Sequence, residues 1–205
     1  MKCDLPLIMN PIQRVKKEIE DIKKDSASGV SVEQDPGNPN HLTGLIRGPD
    51  DTPYAKGMFT VDIMIPADYP FSPPKMKFTT KLWHPNVSSV TGAICLDILK
   101  DQWSPALTTK TALLSLQALM CAAEPNDPQD NEVATMYKST PDRFKAVAAF
   151  WTECYAFERG PDSPMHPAVR RLLDMGFEEP AVRDALCQTK LNEDQAVETL
   201  LASLG

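Results

Sequence analysis

The chain has 205 residues, 42% of them hydrophobic, and a net charge of −7. That length holds one ordinary domain and a small second one, and the apolar content excludes wholesale disorder. The acidic balance argues against a nucleic-acid partner, while five scattered cysteines without a C-x-x-C pair argue against a disulfide framework or a zinc site and for a reducing compartment.

Residues 1–9 read only as a leader, because the apolar run Leu5 to Met9 is broken by Pro6 and too short for a signal-peptide core. Asn10-Pro11 then supplies an N-cap and a proline at the first helical position. The helix it predicts runs to about Asp25, with Ile12, Val15, Ile19 and Ile22 as one apolar stripe. Its charges, with Arg14, Lys16, Lys17, Lys23 and Lys24 interleaved by Glu18, Glu20 and Asp21, read as a solvated face. Strands are predicted near 30–35, 41–47, 58–65 and 75–80. In the third, Phe59, Val61, Ile63 and Ile65 alternate with more polar neighbours, so one face is buried. Short connections favour an antiparallel meander.

Residues 66–106 are irregular, but Pro66, Pro70, Pro73, Pro74, Pro85 and Pro105 restrict the chain enough to keep them rigid. A helix from Thr108 to about Ala123 is apolar all round and is expected at the centre of the domain. A third helix covers about 131–138, and a fourth, opened by Thr140-Pro141, runs to about Phe157. Residues 158–163, with Gly160 and Pro161, form a linker. Three short helices follow at about 165–174, 180–188 and 193–203, the last capped by Asn192 with Gln195 in a capping-box-like arrangement. The expected organisation is an α+β domain over 10–157, the linker, and a small three-helix bundle over 164–205. Cys121, Cys154 and Cys187 fall in helices and read as buried small hydrophobes. No stretch approaches the roughly 18 apolar residues of a membrane span, so no membrane partner is expected.

The chemistry concentrates at Cys95. His84-Pro85-Asn86 precedes it, Ile94-Cys95-Leu96-Asp97 encloses it, and the Ser- and Gly-containing stretch between them reads as a loop. A thiol on a rigid loop suits acyl transfer, since a thiolate attacks carbonyls and an amide side chain can stabilise the oxyanion. A protease or thiol hydrolase would need a histidine base, and none of His41, His84 and His166 has a compelling claim to that role.

The run HPNVSSVTGAICLDILKDQWSPAL (84–107), preceded by YPFSPPK (69–75), closely resembles the catalytic core of ubiquitin-conjugating enzymes. MGF (175–177) with the late Leu200-Leu201 resembles a ubiquitin-associated domain. The two together match the huntingtin-interacting subclass, over about residues 10–204. The resemblance implies the ubiquitin-conjugating fold followed by a three-helix ubiquitin-associated bundle. It implies that Cys95 accepts ubiquitin as a thioester from an activating enzyme and passes it to lysines of protein substrates, usually with a RING-type ligase. ATP is then consumed upstream, and no cofactor is bound stably. Asn86 either stabilises the oxyanion or holds the loop, and the two readings carry equal weight. His84 is expected to fix the loop. Asp127 matches the acidic position that takes the lysine proton, with Asp130 as its neighbour and competitor.

Phe71, Pro105 and Ala106 match ligase-docking positions, and Tyr69-Pro70 matches a cis peptide bond. Met175, Gly176, Phe177 and Leu201 are the expected ubiquitin-binding residues; the alternative is that Met175 and Phe177 pack the bundle with Leu172, Val182 and Leu186. Leu200 is assigned to the core. Polyubiquitin chains for degradation and a cytoplasmic location, with the nucleus open as a second compartment, complete the expectation. An inactive relative that only presents partners would be expected to lack the cysteine, and the bundle argues against a different modifier.

Overall fold

The computed structural model describes residues 11–157 and 164–203. Helix α1 (Pro11–Lys24) leads into four strands, β1 (Val30–Asp35), β2 (Asn38–Arg47), β3 (Met58–Met64) and β4 (Lys75–Phe78). The strands pair antiparallel in the order β1-β2-β3-β4, the meander expected from the short connections. The anticipated N-cap Asn10 and linker 158–163 lie outside the described residues. The register is set by alternation: Phe59, Val61 and Ile63 are fully buried while Met58 and Met64 face outward.

Helix α1 lies against β1 and against α2 (Thr109–Cys121). Val15, Ile19 and Ile22 are buried as the stripe predicts, but Ile12 is exposed, one turn beyond the sheet-facing part of the helix. The solvated face also needs correction at two positions. Arg14 and Glu18 pair at 2.9 Å, and Glu18 is buried. Its carboxylate accepts from the Tyr69 hydroxyl at 2.8 Å and from the Thr109 backbone N–H at 2.9 Å. One charge thus ties the proline-rich segment to the start of α2, and a buried charge is tolerated only with such partners.

Helix α2 starts with a capping box between Thr108 and Thr111. It buries Ala112, Leu113, Leu116, Leu119 and Met120 but leaves Ala118 and Cys121 exposed, so it is not central all round. Cys121 is therefore no buried hydrophobe. Helices α3 (Asn131–Ser139) and α4 (Pro141–Tyr155) complete the first domain. Trp83 and Trp151 meet at 5.0 Å between ring centroids, which seats α4 on the segment before the cysteine loop.

Helices α5 (Pro167–Asp174), α6 (Glu179–Gln188) and α7 (Glu193–Ala202) form the bundle around Ala168, Val169, Leu172, Val182, Leu186, Ala196 and Leu200. Asn192 caps α7 by accepting from the Gln195 N–H at 3.2 Å. The bundle rests on α4: the Trp151 indole donates to the Cys187 carbonyl at 3.3 Å, and Arg183 reaches Glu153 at 3.4 Å. Lys190 pairs with Glu132 of α3 at 2.7 Å.

Candidate active site

The cysteine loop is built by a chain of backbone and side-chain bonds. Isolated bridges join Lys77 to Ala93 and Val87 to Ile94, and the Cys95 N–H donates to the Asn86 carbonyl at 2.9 Å. Gly92 has φ +73°, and a Cβ there would lie 1.9 Å from the Phe78 carbonyl oxygen. Only glycine lets the loop approach β4 this closely.

His84 and Asn86 hold the loop from beneath, both 1% exposed. His84 Nε2 lies 3.0 Å from the Leu119 carbonyl and Nδ1 accepts the Asn86 N–H at 3.0 Å, which fixes the tautomer with the proton on Nε2. The Asn86 carboxamide donates to the Glu124 and Asp127 carbonyls and accepts from the Glu124 N–H, all at 2.9 Å. All three bonds go to the 124–127 segment, which is how a residue nine positions before the cysteine places Asp127 beside it.

The Cys95 thiol lies 3.4 Å from Asp127 Oδ2, to which it can donate, and its sulfur accepts from the Lys100 ammonium at 3.1 Å. Cys95 is 9% exposed, whereas Asp127 and Lys100 are open to solvent. The Lys100 amine is raised above its ordinary value, first by this bond to Cys95 and then by the charges of Cys95, Asp127 and Asp97. It therefore stays an ammonium beside the sulfur. Asp130 serves elsewhere, capping α3 through the Val133 N–H and binding Ser89 at 3.1 Å and 2.6 Å. Lys100 is the neighbour of the sulfur that the sequence reading missed. Its only signal was its place five residues beyond the cysteine, in a segment read as irregular.

None of the histidines bonds the sulfur: His84 is buried with both nitrogens engaged, and His41 lies between Asp35 at 3.1 Å and Asp62 at 2.7 Å. The His166 Nδ1 accepts the Ala168 N–H at the start of α5. A histidine-driven hydrolase thus lacks its base among the described residues.

Burial lowers His84 to about 4 from its ordinary 6.5. Above 6.5 the ring is neutral whether the chain is folded or not. As pH falls below that value the unfolded chain takes up the proton first, so stability is lost, by about 2 kcal/mol on reaching about pH 5. His41 acts with the opposite sign. Its value is raised by Asp62 first and Asp35 second, so its protonation in the folded state adds stability as pH falls. We expect urea unfolding at about pH 7 and about pH 5 to show a net loss in the wild type and a larger loss in His41→Asn. A protein equally stable at both, with the His41 variant unchanged, would contradict the assignment.

A second surface lies near α1. Phe71 is 70% exposed, and Pro105 and Ala106 are exposed on the next loop. The Trp103 indole donates to the Pro70 carbonyl at 2.8 Å, and Arg14 donates to the Pro105 and Leu107 carbonyls at 2.7 and 2.9 Å. These bonds hold the two loops as one surface. The Tyr69-Pro70 bond is cis, as expected.

In the bundle, Gly176 has φ +94° and follows α5 as a left-handed terminator, its N–H donating to the Leu173 carbonyl at 2.8 Å. Met175 and Leu201 are 59% and 57% exposed, and Leu200 is buried. Phe177 is half-buried against the bundle core, so of the two apolar positions flanking Gly176 only Met175 stands fully outward.

Residues 14–152 match the ubiquitin-conjugating enzyme family model and residues 168–200 the UBA/TS-N domain model. The chain is 48% identical over 196 residues to Ubiquitin-conjugating enzyme E2 27 of Arabidopsis thaliana, covering 95% of this chain and 100% of that one. It is 47% identical over 195 residues to human Ubiquitin-conjugating enzyme E2 K, covering 94% and 98% respectively. The solved structure of a Toxoplasma gondii ubiquitin conjugating enzyme E2 domain is similar at TM-score 0.67 and 55% identity, over 70% of this chain and 97% of that one. The chain belongs to the ubiquitin-conjugating enzyme family, in the E2 K or huntingtin-interacting type whose catalytic domain is followed by a ubiquitin-associated domain.

Proposed function

We propose that Cys95 carries ubiquitin as a thioester, received from the activating enzyme and delivered to lysine amines. The observation that carries this reading is the sulfur held between the Asp127 carboxylate and the Lys100 ammonium. In the first step the Cys95 sulfur attacks the ubiquitin thioester carbonyl, its proton passing to Asp127 or water, and the activating enzyme's thiolate leaves. In the second, a lysine amine attacks the same carbonyl. The N–C bond forms, the amine proton goes to Asp127, and the C–S bond breaks to return a Cys95 thiolate beside Lys100. ATP is spent by the activating enzyme, so this chain needs no cofactor of its own.

The joined loops bearing Phe71, Pro105 and Ala106 are the ligase-docking surface, and Met175, Gly176, Phe177 and Leu201 bind ubiquitin. Holding an acceptor ubiquitin near Cys95 raises its local concentration, which favours polyubiquitin chains without new contacts at the sulfur. The product we assign is the degradation-type chain.

One charging assay with activating enzyme, ATP and ubiquitin tests these parts. Wild type should give a thiol-sensitive adduct, and Cys95→Ser a thiol-resistant, hydroxide-sensitive ester. Phe71→Ala should charge normally and lose ligase-stimulated discharge. The pair Met175→Glu and Leu201→Glu should charge normally, bind ubiquitin about tenfold or more weakly and build shorter chains. Absence of any adduct on a folded wild-type protein would point to another modifier or to a binding protein.

A further inference from the structure

The transfer steps give no task to the ammonium that bonds the sulfur, yet the fold builds a turn to place it there. Leu96 is extended, the 3-10 helix over Asp97–Leu99 reverses the chain, and the Lys100 N–H closes the turn on the Asp97 carbonyl at 2.9 Å. The Leu99 N–H donates to the Leu96 carbonyl at 3.0 Å, and the Trp103 N–H to the Lys100 carbonyl at 3.2 Å. Leu96, Leu99 and Trp103 pack against the core, and the Trp103 indole is tied to the Pro70 carbonyl at 2.8 Å. Lys100 thus stands on backbone fixed from both sides, although its own side chain is exposed.

Three charged groups meet at this point. The Lys100 ammonium donates to Cys95 Sγ at 3.1 Å, Asp127 Oδ2 lies 3.4 Å from the same sulfur, and Asp97 adds a second negative charge near the ammonium. The hydrogen-bonded partner of the ammonium is the sulfur. A thioester sulfur is uncharged and accepts a hydrogen bond weakly, whereas a thiolate accepts a charge-assisted one. The Lys100 bond is therefore weak while ubiquitin is attached and strengthens as the C–S bond opens. An interaction that grows along the reaction lowers the barrier rather than holding the ground state.

We infer that Lys100 is a further catalytic residue of the transfer, a fixed cationic donor that stabilises the Cys95 sulfur as the leaving group. The inference rests on the reading that Cys95 carries ubiquitin as a thioester. The amine lone pair forms the N–C bond, and the C–S electron pair goes to the sulfur. Lys100 keeps its proton and supplies only the hydrogen bond, while the proton of the attacking amine goes to Asp127. The two charged neighbours then divide the work: Asp127 acts on the incoming nucleophile and Lys100 on the departing sulfur. The effect of Asp127 depends on which nucleophile attacks, and the effect of Lys100 does not. In the free enzyme the same ammonium favours the thiolate over the thiol.

The test uses the full chain, wild type, Lys100→Met and Lys100→Arg, charged with ubiquitin and followed in single-turnover discharge. Lys100→Met should discharge about fivefold more slowly to free lysine and by the same factor to hydroxylamine, a loss between those of an exposed ion pair and a charge-assisted hydrogen bond. Lys100→Arg, which keeps a cationic donor, should retain most of the rate. In the uncharged protein, iodoacetamide labelling of Cys95, read by peptide mass, should be about threefold slower in Lys100→Met near neutral pH. That loss is the smaller one because a less stabilised thiolate is the better nucleophile, and it should narrow as pH rises. The labelling arm needs no ubiquitin, so it separates failure of this inference from failure of the thioester reading. Lysine discharge slowed with hydroxylamine untouched would place Lys100 on the acceptor side and overturn the proposal. Wild-type rates with both nucleophiles, labelling unchanged in Lys100→Met, or an arginine variant as slow as the methionine one would each overturn it as well.

Discussion

Asn86→Ala is expected to slow discharge of the charged enzyme to free lysine by about 10²-fold and to lower stability by about 2–3 kcal/mol. The stability figure follows from three part-buried hydrogen bonds. Truncation leaves the Glu124 carbonyl, the Asp127 carbonyl and the Glu124 N–H without their partner, at about 1 kcal/mol each. The rate figure follows from what those bonds do. They fix the backbone that carries Asp127, and a displacement of about 1 Å in a positioned group is enough for a loss of this size. Both hydrogens of the Asn86 amide are committed to carbonyls, so a bond to an oxyanion on the thioester requires one of them to be released. The geometry of this state therefore supports the loop-holding reading over the oxyanion reading. Single-turnover lysine discharge and urea unfolding of the same variant test it. A fully stable variant with a slow rate would restore the oxyanion role, and an unchanged rate would remove Asn86 from the mechanism.

Local signals carried the elements, and long-range contacts decided the exceptions. Alternation in β3 and the stripe Val15, Ile19 and Ile22 depend on neighbours in sequence, so they are legible without coordinates. The cysteine and its His-Pro-Asn prelude were legible as a motif. Glu18 was not, because its two partners besides Arg14, Tyr69 and Thr109, lie 51 and 91 residues away. Ile12 and Cys121 were misplaced for a related reason: where a helix stops facing the sheet is set by the packing partner rather than by periodicity. Lys100 was missed because its relation to Cys95 depends on the turn after Leu96, where a short 3-10 helix over Asp97–Leu99 brings the ammonium back to the sulfur. Asn86 stayed ambiguous because one residue type serves both roles, and only its partners distinguish them.

Asp127→Asn is expected to slow lysine discharge by about 10²-fold near neutral pH while leaving charging by the activating enzyme close to normal. The reason lies in the nucleophile. At pH 7 only about 0.04% of an ordinary lysine amine is neutral, so attack needs a base at the site to take the proton as the bond forms. The Asp127 carboxylate, 3.4 Å from the sulfur and open to solvent, is placed to do so. A thiol, with an ordinary value near about 8.5, needs far less help, which protects the charging step. Two comparisons separate base catalysis from a disturbed loop. Hydroxylamine is already neutral at neutral pH, so its discharge rate should be nearly unaffected by Asp127→Asn. The gap between wild type and variant for lysine should narrow as pH rises toward the amine's own range. If hydroxylamine and lysine slow equally, Asp127 acts by shaping the loop and not by accepting a proton. The double variant Asn86→Ala with Asp127→Asn then ties the two predictions together. Because Asn86 holds the Asp127 backbone, removing both should slow transfer by much less than the product of the single effects. Multiplicative effects would mean that Asn86 and Asp127 stabilise the transition state independently, with Asn86 at the oxyanion after all.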